Sequence, residues 1–160
     1  DFRRKTDPPG RRVPGDRLRC TASHRPGEAG ALTDGDFHTR WRAHRLQQSG
    51  MHITLELPDG LAPCRVDLSY DGYPHDLADA LDVLVRRRGR WHTVAEAVSP
   101  DLQILDFRNG HPVYGRAFRS IAFDPVPADA LRIEIEDPNP ARDWTVGEVE
   151  VRAVDADTLR

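Results

Sequence analysis

The feature that most constrains this chain is a repeated period of two. Across Met51–Leu57, the apolar Ile53, Leu55 and Leu57 alternate with the polar His52, Thr54 and Glu56. Successive side chains on an extended strand point to opposite faces, so the pattern makes one face apolar and the other wet. Val66, Leu68 and Tyr70 repeat it. So do Leu131, Ile133 and Ile135, with Arg132, Glu134 and Glu136 between them, and Val149 and Val151 close the series. Ile121 and Phe123 read as a further strand. Pro58-Asp59-Gly60 and Asp71-Gly72 supply turns between these runs. Leu77, Ala80, Leu81 and Leu84 have helical spacing, but a strand over Leu81–Val85 is preferred. Arg87-Arg88-Gly89 then turns it as a hairpin into Trp91–Val94. Seven or eight short strands of this kind, with no alternation of strand and helix, predict an all-β, antiparallel β-sandwich of jelly-roll type.

A second feature is the acidic bend Ala31-Leu-Thr-Asp-Gly-Asp-Phe-His-Thr-Arg-Trp41. Asp34, Asp36 and Thr39 surround Gly35, which takes positive φ at no steric cost and lets the chain curl tightly. Inward-pointing carbonyls and short carboxylates suit a hard cation such as Ca²⁺, which takes six to eight oxygens. A solvated Asp-Gly turn between strands accounts for the same residues, and the residues alone leave both readings open. The spacing is not that of an EF-hand.

Asp34-Gly35-Asp36-x-x-Thr39-x-Trp41 resembles a signature of the discoidin, or coagulation factor 5/8 type C, domains. These belong to the galactose-binding-like β-sandwiches, which include many bacterial carbohydrate-binding modules. Met51–Leu57, Cys64–Tyr70, Tyr73-Pro74 with Arg90-Trp91, Leu131–Ile135 and Trp144–Val151 resemble the later strands of that family in order. The resemblance runs from about Cys20 to Val151. It implies a structural cation held by the Asp34 side chain, the carbonyls of Ala31 and Asp36, and Thr39. The site would be closed from the far end of the chain by the Gly147 carbonyl and the Glu148 carboxylate. It also implies sugar recognition on loops at one end of the sandwich, by an aromatic ring and directional polar groups. Loop residues of that type are Arg42, His44, Tyr73, His75, Asp76, Arg108, Asn109, His111 and Tyr114. The family's sugar contacts vary between members, so these are candidates by type and place. The long polar segment Gln103–Arg119 departs from the family pattern and is expected to be a specificity loop. Trp41 and Trp91 are expected to fill or cap the core, and Trp144 to sit at a sandwich edge.

The resemblance implies a non-catalytic glycan-binding module for galactose-like or other sugars, as part of a larger extracytoplasmic bacterial protein. The upstream partner domain would be a glycoside hydrolase or a membrane glycosyltransferase. A protein- or lipid-binding adhesion module and a glycan-processing enzyme are the alternatives. The polar loops speak against membrane insertion. No catalytic residue is expected: there is no Gly-x-Ser-x-Gly elbow, no HExxH and no glycine-rich phosphate loop.

Composition narrows the rest. A net charge of −3 gives no basic field for nucleic acid, and no apolar run approaches the ~20 residues of a membrane span. Residues 1–19 are rich in Arg, Pro and Gly and read as a linker or arm. The sandwich is expected over 20–153 and a tail over 154–160. The chain begins at Asp1, not Met, and is read as a piece of something larger. Cys20 and Cys64 are too far apart for a metal or redox motif. They read either as one disulfide or as two buried thiols.

Overall fold

A computed structural model describes residues 10–70, 75–99, 104–114 and 118–160. Thirteen strands are present among these residues. They are β1 (Arg11–Arg12), β2 (Arg19–Ala22), β3 (Trp41–Leu46), β4 (His52–Glu56), β5 (Leu61–Ser69), β6 (Ala80–Arg87) and β7 (Arg90–Val98). Then follow β8 (Ile104–Arg108), β9 (His111–Tyr114), β10 (Phe118–Ala122), β11 (Ala130–Asp137), β12 (Asp143–Val146) and β13 (Glu148–Asp155). One sheet has the order β1-β13-β5-β10 and the other β2-β4-β11-β6-β7, with two-stranded ribbons β12-β3 and β8-β9 beside them. The pairings are antiparallel.

The period-two runs do what alternation requires. Ile53, Leu55, Val83, Leu131 and Ile133 of the five-stranded sheet pack in one cluster with Val66, Leu68, Val149 and Val151 of the four-stranded sheet. Thr54 is the exception on the polar side of β4. It is buried because β4 is flanked by β2 and β11, and its hydroxyl accepts the Arg132 Nε–H at 3.1 Å. The hairpin expected at Arg87–Gly89 joins β6 to β7: Arg87 pairs with Arg90, and Arg88 and Gly89 have φ of 51° and 73°. Two consecutive positive φ values mark the turn whose twist matches that of paired strands.

Three expectations need correction: the arm before residue 20, the boundary after residue 153 and the place of Trp144. Residues 10–19 are not a linker. β1 pairs with β13, Val13 N–H donates to the Val151 carbonyl at 2.8 Å, and Val13 and Leu18 are buried. Two apolar side chains and a strand's worth of backbone bonds tie this stretch to the sandwich despite its Pro and Gly. At the other end β13 runs to Asp155, past the expected boundary, and a 3₁₀ turn over Ala156–Leu159 follows, with Ala156 N–H bonded to the Gly60 carbonyl.

Cys20 and Cys64 do not form a disulfide. Cys20 lies on β2 in the five-stranded sheet, near Glu148. Cys64 lies on β5 in the four-stranded sheet, its Sγ 3.5 Å from the Arg152 carbonyl. The two cysteines thus belong to different sheets, and both remain thiols. Burial, and then the Glu148 charge, push the Cys20 thiol up to about 12, and burial raises Cys64 as well.

Trp144 is not at an exposed edge. It is fully buried on β12, edge-to-face with the fully buried Trp41 of β3 at 5.3 Å between centroids and 90° between planes. Trp91 is half-buried on β7 and caps the sheet surface, with the Arg132 guanidinium 4.2 Å above its ring and that of Arg86 at 5.5 Å.

Candidate functional site

The acidic bend follows a 3₁₀ helix over Pro26–Leu32, which buries Ala29 and Leu32 and sets the chain against β2 and β3. Gly35 has φ of 78°, as the Asp-Gly-Asp sequence requires. Asp34 organises the curl: its Oδ1 accepts the Asp36 N–H at 2.9 Å and its Oδ2 accepts the Thr39 hydroxyl at 2.7 Å. Thr39 also donates from Oγ1 to the Asp36 carbonyl at 2.9 Å and from its amide to the same oxygen at 3.2 Å. Asp36 caps the next turn by accepting the His38 N–H at 2.9 Å.

Glu148, the first residue of β13, meets this bend from 113 residues away. Its Oε1 accepts the Gly35 N–H at 3.2 Å. Gly147 holds β13 in place by donating its N–H to the Ser69 carbonyl at 2.8 Å. Glu148 is only 2% exposed, and its Oε2 is buried with no hydrogen-bond partner. An unpartnered buried carboxylate oxygen is costly unless a proton or a cation compensates it. Burial, and to a lesser degree the Asp34 and Glu150 charges, push this carboxyl up to about 7, against the pull of the Gly35 N–H. The bend thus brings Asp34, Asp36, Thr39 and Glu148 into one hydrogen-bonded neighbourhood. Ala31 belongs to the preceding 3₁₀ helix. No three His, Cys, Asp or Glu side chains converge on one point among the described residues. A cation here would draw on two carboxylates and take its remaining oxygens from the Thr39 hydroxyl, carbonyls and water. That donor set suits a hard oxygen-seeking ion, and the orphaned Glu148 oxygen fits it.

The expected sugar-contacting residues fall into three groups. Arg42 and His44 border a cleft of about 630 Å³ whose lining also includes Glu28, Ala31, His38 and Arg40. Arg42 is held by Asp143, Nε to Oδ2 at 2.9 Å, and His44 has φ of 53° where β3 slips register against β12. A non-glycine residue in that region is strained, a condition that clusters at functional sites. Asp76 is committed to the scaffold: it accepts the Thr145 hydroxyl at 2.6 Å, and its carbonyl accepts the Thr145 N–H at 3.3 Å. His75 beside it is exposed. Tyr73 lies outside the described residues.

The third group sits on the β8–β9 ribbon. Arg108, Asn109 and His111 are exposed at its tip, where Asn109 and Gly110 have φ of 52° and 77°. Tyr114 ends β9. The long segment expected as a specificity loop is therefore a hairpin over its described part. It carries a residue that sequence reasoning passed over: Phe107, 63% exposed. Phe37 and Phe118 were passed over too. At 50% and 41% exposure they flank a hollow of about 250 Å³ lined by Asp67, Ser69, Glu148 and Glu150. No periodicity marks a ring as exposed, since Phe107 and Phe118 sit in strands where an aromatic reads as core.

No family model and no curated protein sequence matches this chain. Solved structures do share its fold. CpGH89CBM32-5 from Clostridium perfringens, solved with GalNAc-β-1,3-galactose, superposes with a TM-score of 0.66 over 89% of this chain and 99% of that one, at 16% identity. The family 32 carbohydrate-binding module of C. perfringens NanJ, solved with galactose, gives 0.64 over 88% and 96%, at 12% identity. Chitosan-binding module 1 of a chitosanase/glucanase from Paenibacillus sp. IK-5 gives 0.63 over 84% and 94%, at 20% identity. The chain has the discoidin-like, galactose-binding β-sandwich fold of these modules.

Proposed function

We propose that this domain is a non-catalytic carbohydrate-binding module. The observation that carries this reading is the likeness over nearly the whole domain to modules solved with bound sugars. The β8–β9 tip supports it chemically. Phe107 offers an apolar face for a sugar ring, while Arg108, Asn109 and His111 offer hydrogen-bonding groups to hydroxyls. The Arg42–His44 cleft is a second polar surface of the right scale. Individual contacts of this kind are weak, and a module of this type gains from linkage to other binding sites. The neighbouring domain would be a bacterial glycoside hydrolase or membrane glycosyltransferase acting outside the cytoplasm.

The second element of the proposal is a structural Ca²⁺ at the acidic bend. Asp34, Thr39, Glu148 and the carbonyls of Ala31, Asp36 and Gly147 would hold it. The ion would neutralise the two neighbouring carboxylates and brace the bend against β13. The buried, unpartnered Glu148 Oε2 supports this element.

A glycan array probed with the domain tests the main reading. Binding to a neutral or N-acetylated sugar, weakened about tenfold by Phe107→Ala (a loss of ~1.4 kcal/mol), is the expected result. Binding to no sugar, or turnover of a bound one, overturns it.

A further inference from the structure

We propose a second binding site, for the carboxylate or sulfate groups of an acidic polysaccharide, in the arginine-lined cleft at the β6–β7 hairpin. The cleft measures about 490 Å³ and is lined by Arg87, Arg88, Arg90 and His92. All four residues are exposed, and among the described residues their side chains make no hydrogen bond or ion pair. The adjacent Arg86 differs: it is held by Glu56 at 2.6 Å and Asp129 at 2.7 Å.

The register shows why this is an unusual arrangement for a bare surface. Arg87 and Arg90 stand directly opposite one another, and His92 follows Arg90 on the same face of β7. Like charges directly opposed across a strand pair are destabilising. Between them Arg88 occupies the left-handed region, at φ 51°, where a glycine or asparagine costs less. Asp59 and Asp129 border an adjoining hollow that Arg87 and Arg88 also line, yet neither carboxylate pairs with these two arginines, and Asp129 is taken by Arg86. The strand that presents Arg90 and His92 is also braced, because Trp91 is held under Arg132 and Arg86 on the opposite face. The planar guanidinium forks of Arg87, Arg88 and Arg90 can take carboxylate or sulfate oxygens in pairs.

The carrier of the anion is argued from its surroundings. The exposed large apolar side chains among the described residues are Phe37, Leu46, Phe107, Phe118 and Leu159, none of them on this hairpin, so nothing here would anchor in a lipid surface. The negative net charge repels any polyanion at long range, and least of all one whose charges are widely spaced, as they are on a uronic-acid polysaccharide compared with the dense phosphates of nucleic acid or an anionic bilayer. That the anion is carried on sugar rests on the proposed function.

The test is affinity electrophoresis at low salt in gels containing dextran sulfate, alginate or neutral dextran, with anionic phosphatidylglycerol vesicles and duplex DNA assayed in parallel. Retardation by at least one acidic polymer but not by dextran is expected, lost progressively with added salt. In R87Q/R88Q/R90Q it should weaken at least tenfold with a melting temperature no lower than that of the wild type, while Phe107→Ala keeps it. No retardation by either acidic polymer overturns the proposal, as does equal retardation of the triple variant. Equal binding of DNA or vesicles also overturns it, in favour of a general anion surface. Loss of array binding to neutral sugars with acidic retardation intact would fell the β8–β9 reading and leave this one standing.

Discussion

The Glu148 carboxylate receives the Gly35 N–H at 3.2 Å through one oxygen and buries the other without a partner. The first long loop and the last strand therefore meet at a buried carboxylate that the loop satisfies through one oxygen alone. If Ca²⁺ compensates it, the ion binds the folded chain alone and stabilises it by mass action, by ~2.7 kcal/mol at a hundredfold excess over Kd. For a domain of this size that corresponds to a rise of roughly 5–10 °C in melting temperature. Calcium titration after chelation should show the rise in the wild type and little or none in Glu148→Gln. A wild type that melts identically in chelator and in millimolar calcium removes the ion from the account.

The same carboxyl fixes a pH dependence in the metal-free chain. Its pKa stands at about 7 when folded, against an ordinary value of 4.5. A carboxyl raised on folding favours the folded state while protonated. Its contribution is therefore complete below about 4.5 and is lost as pH rises through the window up to about 7. In chelator, the wild type should lose stability relative to Glu148→Gln across that window. Denaturant melts of both proteins at intervals from pH 4.5 to 8 measure this, and parallel curves would refute it.

Trp144 and Trp41 meet edge-to-face inside the core, and Trp41 also donates from Nε1 to the His24 carbonyl at 3.1 Å. Trp144→Ala should cost about 3–5 kcal/mol through the cavity it leaves, and Trp144→Phe much less. Urea unfolding gives the difference. A change below 1 kcal/mol in the alanine variant would mean that the β3–β12 ribbon does not contribute to the core.

Gln47 is 3% exposed and joins three loops. It donates from Nε2 to the carbonyls of Leu77 at 2.9 Å and Asp143 at 2.8 Å, and accepts the Asn139 N–H at 2.8 Å. Gln47→Leu keeps much of the volume and strands all three partners, so a loss of about 2–4 kcal/mol is expected. Amide exchange at Asn139 should speed up in parallel. Unchanged exchange there would show that the amide is protected by something other than Gln47.

The sandwich was legible because its strands are half-buried, and burial on one face writes itself as alternation, as in Ile53, Leu55 and Leu57. The Asp34-Gly35-Asp36 bend was legible because few backbones other than a positive-φ turn want that sequence. The burial of Val13 and Leu18 was not, since Pro14, Gly15 and many arginines mask two apolar anchors whose partners lie on β13. Nor was Gln47, because a single polar residue acquires its meaning from three carbonyl and amide groups that only the fold assembles. Trp144 looked peripheral from the prolines before it, yet the pairing of β12 with β3 places it against Trp41. Of the loop residues chosen for their chemistry, Arg108, Asn109 and His111 share one tip, Arg42 and His44 share a cleft, and Asp76 serves the scaffold.

β1 lies antiparallel to β13, with Arg11 opposite Ala153 and Arg12 opposite Arg152. The polypeptide thus enters this sheet at the place where it leaves. Under tension between its two ends, the first strand would unzip rung by rung instead of resisting in shear. Tugging on a tethered copy of the domain would therefore strip this margin at low force, and resistance would begin at the long β5–β13 pairing.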